Sequence, residues 1–359
     1  MSKKSNNWCP EIYRGLFLRP VGKHKVGVAP CCQADMQTIV NSEFNFLTDA
    51  YLGTLRTQSK PAACHRCWHT ENQGGYSKRQ SSIDFYQKEP SDEVELNALE
   101  YNVNWACNLA CIMCGPHYSS SWAQELNVTD QYDQITKTKH EIIKNLDKSN
   151  LLRIHFNGGE PLINDEHVKL LDQVEVLDQC KITYNTNGTV LPSTKALAAW
   201  KKSKMVRLFF SIDATADAFE YIRWPGRWTT IQNNIQWFID HSPPNVMFGL
   251  NVTVGTYNML ELSDLHDWYL NTVSKNREGD QSDFCWQIAY NFDPLWVGEP
   301  VKQQVIESLR HREEFGSLIT YLENTQSQES DSWTKKLDTI DDRRKLDWRA
   351  VLKIGKYYQ

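Results

Sequence analysis

Apolar residues recur through the middle of the chain in short, nearly unbroken runs. Residues 99–105, 151–156, 180–186, 205–212, 246–254 and 284–290 each read as a strand. Between them the spacing becomes helical, over 117–127, 131–149, 165–177, 192–203, 228–241 and 259–273. In 165–177, for example, Val168, Leu170, Leu171, Val174 and Leu177 fall on one side. Continuous apolar strands separated by helices predict a parallel sheet buried on both faces.

Six strand–helix units fall short of a closed eightfold barrel. The expected fold class is therefore α/β, a partial (β/α)6 TIM-like barrel spanning 99–292. The flanks read differently. Residues 1–98 are cysteine-rich, with a hairpin at 13–19 and 25–29 joined by a Gly22-Lys23-His24 turn. A short helix is expected over 42–56, with Phe44, Phe46, Leu47, Tyr51 and Leu52 on its apolar side, and a polar linker over 86–98. Residues 293–359 form a helical carboxy-terminal tail, with one amphipathic helix over 301–324. A charged stretch follows at 325–347, and Trp348, Val351, Leu352 and Ile354 pack a last short helix.

Composition narrows the class. The 359 residues carry a formal net charge of −5, with 40% apolar and 23% charged residues. These values describe a soluble globular protein and argue against a general nucleic-acid binder. No apolar run approaches the ~20 residues of a membrane span. The basic start lacks the apolar stretch of a secretory signal. Ten cysteines without such a signal point to metal or redox chemistry in the cytoplasm, not to disulfides.

That chemistry centres on Cys107, Cys111 and Cys114, spaced C-x3-C-x2-C directly after the first strand. Three thiolates on one loop can hold three corners of a cubane iron–sulfur cluster and leave the fourth iron open to a substrate or cofactor. Other polar residues stand at strand ends, where ligands sit in parallel α/β folds. The second strand ends in Asn157-Gly158-Gly159-Glu160-Pro161, the third in Thr186-Asn187-Gly188, and the fourth in Ser211-Ile212-Asp213. Glycines let backbone approach a ligand closely, and a carboxylate complements an ammonium. Asn187 could equally turn the chain, and Asp213 could cap the next helix. Arg223 could pair with a ligand carboxylate or with a surface acid. Asn251 and Thr253 are weaker candidates. Cys180 and Cys285 lie in apolar strands and are expected in the core, with a place at the barrel mouth, toward a substrate, as the alternative for Cys285. In the amino-terminal segment, Cys64-His65-Arg66-Cys67 is a C-x2-C knuckle able to chelate one metal centre from a turn, with His65 exposed.

The C-x3-C-x2-C run resembles the signature of the radical S-adenosylmethionine (SAM) enzymes, with Met113 where the signature usually places an aromatic residue. Gly158-Gly159-Glu160-Pro161 is similar to that family's motif for the SAM amino group. Asn187, Ser211 and Asp213 match its segments near the ribose and substrate, and Arg223 matches its arginine for the SAM carboxylate. The segment from Cys9 through Pro30-Cys31-Cys32 to Cys64-x-x-Cys67-Trp68, with Glu71, Gly74, Gly75 and Ser77, resembles twitch or SPASM-type auxiliary-cluster modules. In many relatives that module follows the barrel; here it precedes it. The resemblance implies a second [4Fe–4S] cluster on Cys9, Cys31, Cys64 and Cys67, with Cys32 as the competitor for Cys31. A structural zinc site with the same thiolates is the alternative.

The resemblance further implies SAM and two [4Fe–4S] clusters as cofactors, and an external one-electron reductant such as flavodoxin or ferredoxin. The expected reaction is hydrogen abstraction by a 5′-deoxyadenosyl radical, on a peptide or protein. A sugar, aminocyclitol or nucleotide-like small molecule is the alternative substrate, and a non-catalytic metal-binding scaffold the alternative function. No membrane or nucleic-acid partner is expected.

Overall fold

A computed structural model describes residues 7–21, 25–39, 43–72, 77–87, 92–129, 133–274, 283–289 and 291–358. The expected turn at Gly22, Lys23 and His24, the pair Gly74 and Gly75, and linker residues 88–91 lie outside the described residues. The strands are β1 Gly15–Val21, β2 Lys25–Ala29, β3 Gln37–Ile39, β4 Ala98–Asn102, β5 Arg153–Asn157, β6 Lys181–Thr186, β7 Met205–Phe210, β8 Val246–Val254 and β9 Asp283–Ile288. Strands β4 to β9 alternate with helices and are the six expected of the partial barrel, so the fold is α/β with a parallel sheet. Among the described residues no helix is long and apolar enough to cross a membrane.

The chain divides into two compact units. One comprises residues 1–106, 126–184 and 193–206; the other comprises 107–125, 185–192 and 207–359. In the first unit the strand order is β3-β2-β1-β4-β5-β6. β1 and β2 form the expected antiparallel hairpin, with Phe17 opposite Ala29. β1 also lies parallel to β4, Gly15 opposite Ala98, so the amino-terminal hairpin extends the sheet that β4 begins. β4, β5 and β6 continue it in parallel, with Glu100 opposite His155 and His155 opposite Thr183. In the second unit β8 and β9 pair in parallel from Gly249–Asp283 to Val254–Ile288.

The strands are not apolar on both faces. In β5, Ile154 and Phe156 are fully buried while Arg153, His155 and Asn157 are half-buried, and β6 alternates in the same way. One face packs against apolar side chains; the other is polar and partly open, as ligand-binding strands require. Cys285 corrects the expectation of a core cysteine. It is exposed, because β9 is the last strand of the sheet and Cys285 sits at the register position of half-buried Asn251. Cys180 is buried as expected.

Several helices are shorter than their patterns. The apolar run at 42–56 contains a helix only over Ala50–Thr57, where Asp49 caps it by accepting from Leu52 N–H at 2.9 Å. Phe44 and Phe46 lie ahead of it in loop. The single helix expected over 301–324 is two, Glu299–Leu309 and Gly316–Asn324, joined by a 3-10 turn at Glu313–Phe315. Arg312 at that break forks onto Asp267 at 2.6 and 3.0 Å, and Phe315 enters an aromatic group with His266 and Phe284. These contacts redirect the chain more strongly than helical periodicity continues it. The charged stretch beyond contains the helix Ser332–Arg344, whose Trp333 packs at a tilt against Trp348 with ring centroids 5.2 Å apart.

Lys139 is a buried cation in the first unit, only 1% exposed. Its Nζ donates to the Asn102 carbonyl oxygen at 2.6 Å, at the end of β4. Burial pulls its pKa from the usual 10.5 down to about 7. The unfolded chain thus holds one more proton than the folded chain between those values, so this group makes stability rise with pH there. Below about pH 7 both states are charged and the penalty is complete and flat. The expected result is that wild type gains about 1.4 kcal/mol per pH unit over Lys139→Met between pH 7.5 and pH 9. Urea unfolding of both proteins across that range checks it, and a pH-independent difference refutes it.

Candidate active site

The loop that carries the three cysteines is held from several directions. Cys107, Leu109 and Cys111 form one buried group, with Met113 and Cys114 packed against it. Ser119, Ser120 and Ser121 open the helix Ser120–Glu125 and bind the loop's carbonyls. Ser119 Oγ donates to Leu109 O at 2.5 Å and Ser121 Oγ to Cys107 O at 2.7 Å. Ser120 Oγ accepts from Cys107 N–H at 3.0 Å. On another side the loop pairs with backbone: Ala110 N–H donates to Trp224 O at 2.6 Å and Ile112 N–H to Ile222 O at 3.0 Å. A loop fixed by this many backbone bonds presents its thiols in a set arrangement.

Two donors face the sulfurs. Asn187 Nδ2 lies 3.9 Å from Cys107 Sγ and donates to Asn108 Oδ1 at 3.0 Å. Arg223 Nη1 lies 3.9 Å from Cys111 Sγ. Burial pushes the Cys111 thiol up to about 12, with Arg223 opposing the shift. Burial also raises Cys114, against Arg223 and Lys336. Such thiols lose their protons only when a metal centre takes the electron pairs, and donors of this kind suit sulfurs that become anionic.

Arg223 is itself fixed. Its Nη2 stands 2.7 Å from Asp213 Oδ2, and both residues are buried. Asp213 Oδ1 accepts from Thr253 N–H at 2.7 Å, and Asn258 Nδ2 donates to the Asp213 carbonyl at 2.9 Å. Burial works against the guanidinium charge, but Asp213 and Cys111 outweigh it, so Arg223 stays protonated. Ser211 is half-buried and anchored through its N–H to Thr186 O at 2.7 Å. The second unit therefore brings together the three cysteines with Asn187, and Asp213 with Arg223.

In the first unit Gly158 and Gly159 have φ of +74° and +57°. A Cβ on Gly159 would collide with the Ala106 carbonyl oxygen, and one on Gly158 with the Asn102 side chain. Only glycine fits both the left-handed backbone and the close approach. Glu160 is fully buried. Its N–H donates to Ala106 O at 2.8 Å and its Oε1 accepts from Leu162 N–H at 3.0 Å. Ala106 immediately precedes Cys107 in the chain.

A small cavity in the first unit is lined by Cys9, Cys31, Cys64 and Cys67, together with Trp68 and Lys78. Cys32 does not line this cavity; the Glu100 carboxylate lies near it and pairs with Lys78 at 2.9 Å. Burial raises Cys31, and raises Cys64 to about 11. His65 is exposed as expected. Among the described residues no three His, Cys, Asp or Glu side chains converge on a point that one metal ion could occupy. Cubane ligands need no such point, since each sulfur binds a different iron. A larger cavity of about 500 Å³ in the same unit, between Phe44, Phe46 and Leu146, contains none of these residues.

Comparison with known proteins gives a likeness over part of the chain. Residues 101–268 match the model of the Radical SAM superfamily. That stretch, a little under half of the chain, is similar to radical SAM domains. Such domains use SAM and a [4Fe–4S] cluster. The chain is 31% identical over 130 residues to a GTP 3′,8-cyclase of Clostridium acetobutylicum, covering 35% of this chain and 38% of that one. It is 27% identical over 129 residues to the mycofactocin maturase MftC of Mycobacterium ulcerans, covering 36% and 32%. The chain thus spans about a third of the length of the curated relatives it matches. Among solved structures, SuiB of Streptococcus suis bound to S-adenosylmethionine aligns with a TM-score of 0.39 and 14% identity, over 83% of this chain and 70% of that one. Native anSMEcpe with bound AdoMet aligns with a TM-score of 0.38 and 17% identity, over 64% and 62%.

Sequence reasoning missed Tyr257, Asn258, Trp122 and Arg344. Tyr257 is buried beside the Asp213–Arg223 pair and donates to Thr253 O at 2.8 Å. Trp122 Nε1 donates to Cys111 O at 2.8 Å. The three consecutive serines before Trp122 are a legible helix-start signal; nothing local marks the others.

Proposed function

We propose that the protein is a radical SAM enzyme with two iron–sulfur sites that modifies a peptide or protein. Cys107, Cys111 and Cys114 would hold the first cluster, and Cys9, Cys31, Cys64 and Cys67 the second, in a twitch or SPASM-like module. A reduced cluster held by these three cysteines would supply the one electron needed to split SAM into methionine and a 5′-deoxyadenosyl radical able to take hydrogen from the substrate.

The residues have separate tasks in this reading. The Gly158–Gly159 backbone and Glu160 would meet the SAM amino group, a close approach that any side chain would block. Arg223 would meet its carboxylate, with Asp213 keeping the guanidinium in place. Ser211 and Asn187 would meet the ribose and its neighbours. The polar strand faces would order the substrate, and the buried cysteine loop would keep water from the reacting atoms.

The observation that carries the reading is the packed three-cysteine loop with amide and guanidinium donors on its sulfurs. The choice of Cys31 over Cys32 is supported by the cavity, which Cys31 lines and Cys32 does not. The likeness to a maturase supports a peptide substrate. The likeness to GTP 3′,8-cyclases favours a nucleotide-like molecule as the second reading. The reductant would be a flavodoxin or ferredoxin in the cytoplasm.

The decisive test is metal analysis after anaerobic reconstitution. About eight irons per chain are expected for two cubanes, falling to about four in Cys64→Ala. Zinc in place of iron would favour a scaffold and end the proposal. Mass spectrometry of peptides and of GTP after incubation with reduced enzyme and SAM then separates the two substrate classes.

A further inference from the structure

Arg344 closes the helix Ser332–Arg344, more than two hundred residues beyond the cysteine loop, yet it is buried at its base. Its Nη2 donates to the Ala110 carbonyl at 2.8 Å, inside the C-x3-C segment. Its Nε and Nη2 meet Glu125 Oε2 at 3.1 and 3.0 Å. Its guanidinium carbon lies 4.5 Å from the centre of the Trp122 ring, and that indole donates to Cys111 O. One residue thus binds the loop directly and also seats the indole that binds the next carbonyl. The remaining nitrogen, Nη1, is buried with no hydrogen-bond partner among the described residues. A buried cationic donor without a partner is costly and signals a partner the protein itself does not supply.

The helix is anchored well enough for this task. Asp341 accepts from Tyr221 Oη at 2.7 Å and from Trp348 N–H at 2.7 Å. Arg343 adds a contact to Glu125 at 3.2 Å.

We propose that Arg344 is a positioning residue that holds the Cys107–Cys114 loop in its cluster-binding shape and supplies a cation and a spare donor to the anionic cluster. The proposal rests on the reading that these three cysteines bind the SAM-cleaving cluster. A packing role alone would leave the electronic properties of that cluster unchanged. A cation and donor make it easier to reduce.

The test uses the reconstituted full chain and compares wild type, Arg344→Met and Arg344→Lys. The readouts are the midpoint potential of the cluster whose electron-paramagnetic-resonance signal changes on adding SAM, and the rate of SAM cleavage. Arg344→Met should shift the potential negative and slow cleavage at least tenfold. Arg344→Lys, which keeps the charge, should recover most of the potential. An Arg344→Met protein that keeps four irons at the triad, the wild-type potential and the wild-type SAM response overturns the proposal. If Arg344→Met does not fold, Arg344→Gln decides: it keeps an amide donor without the charge, and an unchanged potential and SAM response overturn the proposal. Failure of the underlying reading shows separately, as a wild-type protein with no SAM-responsive signal at all.

Discussion

Cys107→Ala should reduce SAM cleavage to the uncatalysed background and remove about four irons per chain. Three ligands leave one iron open, but two cannot retain a cubane against competing thiols and water. The loop loses little else, because its carbonyls stay bound to Ser119, Ser120 and Ser121 and its N–H groups to Trp224 and Ile222. The variant should therefore fold. Cys64→Ala should keep SAM cleavage while losing the other four irons and turnover of the substrate. Cleavage persisting in reduced Cys107→Ala protein would remove the assignment of the first cluster.

Arg223→Met should be the most damaging single change outside the cysteines. It strands the Asp213 carboxylate in a buried position, where breaking one partner of a buried pair costs about 3–5 kcal/mol. It also removes the guanidinium facing Cys111 and, in the proposed reading, the group that meets the SAM carboxylate. The double variant Arg223→Met with Asp213→Asn separates these effects. Removing both charges should return most of the unfolding free energy in urea, while SAM binding stays weak by at least tenfold. Recovery of both properties would show that Arg223 serves stability alone.

The six barrel strands were legible because each is a short apolar run bounded by helical spacing, and β5 to β9 fall within a few residues of their expected places. The polar half of each strand was not, since Arg153, His155 and Asn157 alternate with Ile154 and Phe156 inside a run that reads as apolar overall. Local motifs marked the cysteine loop and the Gly158–Gly159 turn because their chemistry depends on residues adjacent in sequence. The cavity that Cys31 lines and Cys32 does not is closed by Cys9, Cys64 and Cys67, which arrive from distant segments. Arg344 escaped notice for the same reason. In the charged run Asp341-Asp342-Arg343-Arg344-Lys345 nothing distinguishes the one cation that is buried from those that meet solvent.

The parallel pairing of β1 with β4 bears on how such a protein can change over time. Cutting the chain ahead of β4 would bare a row of backbone groups on its flank, ready to stick to another molecule. The amino-terminal cysteines and the barrel are thus bound into one inheritance. A lineage that lost the amino-terminal cysteines would have to keep the hairpin, or find another strand to shelter that flank.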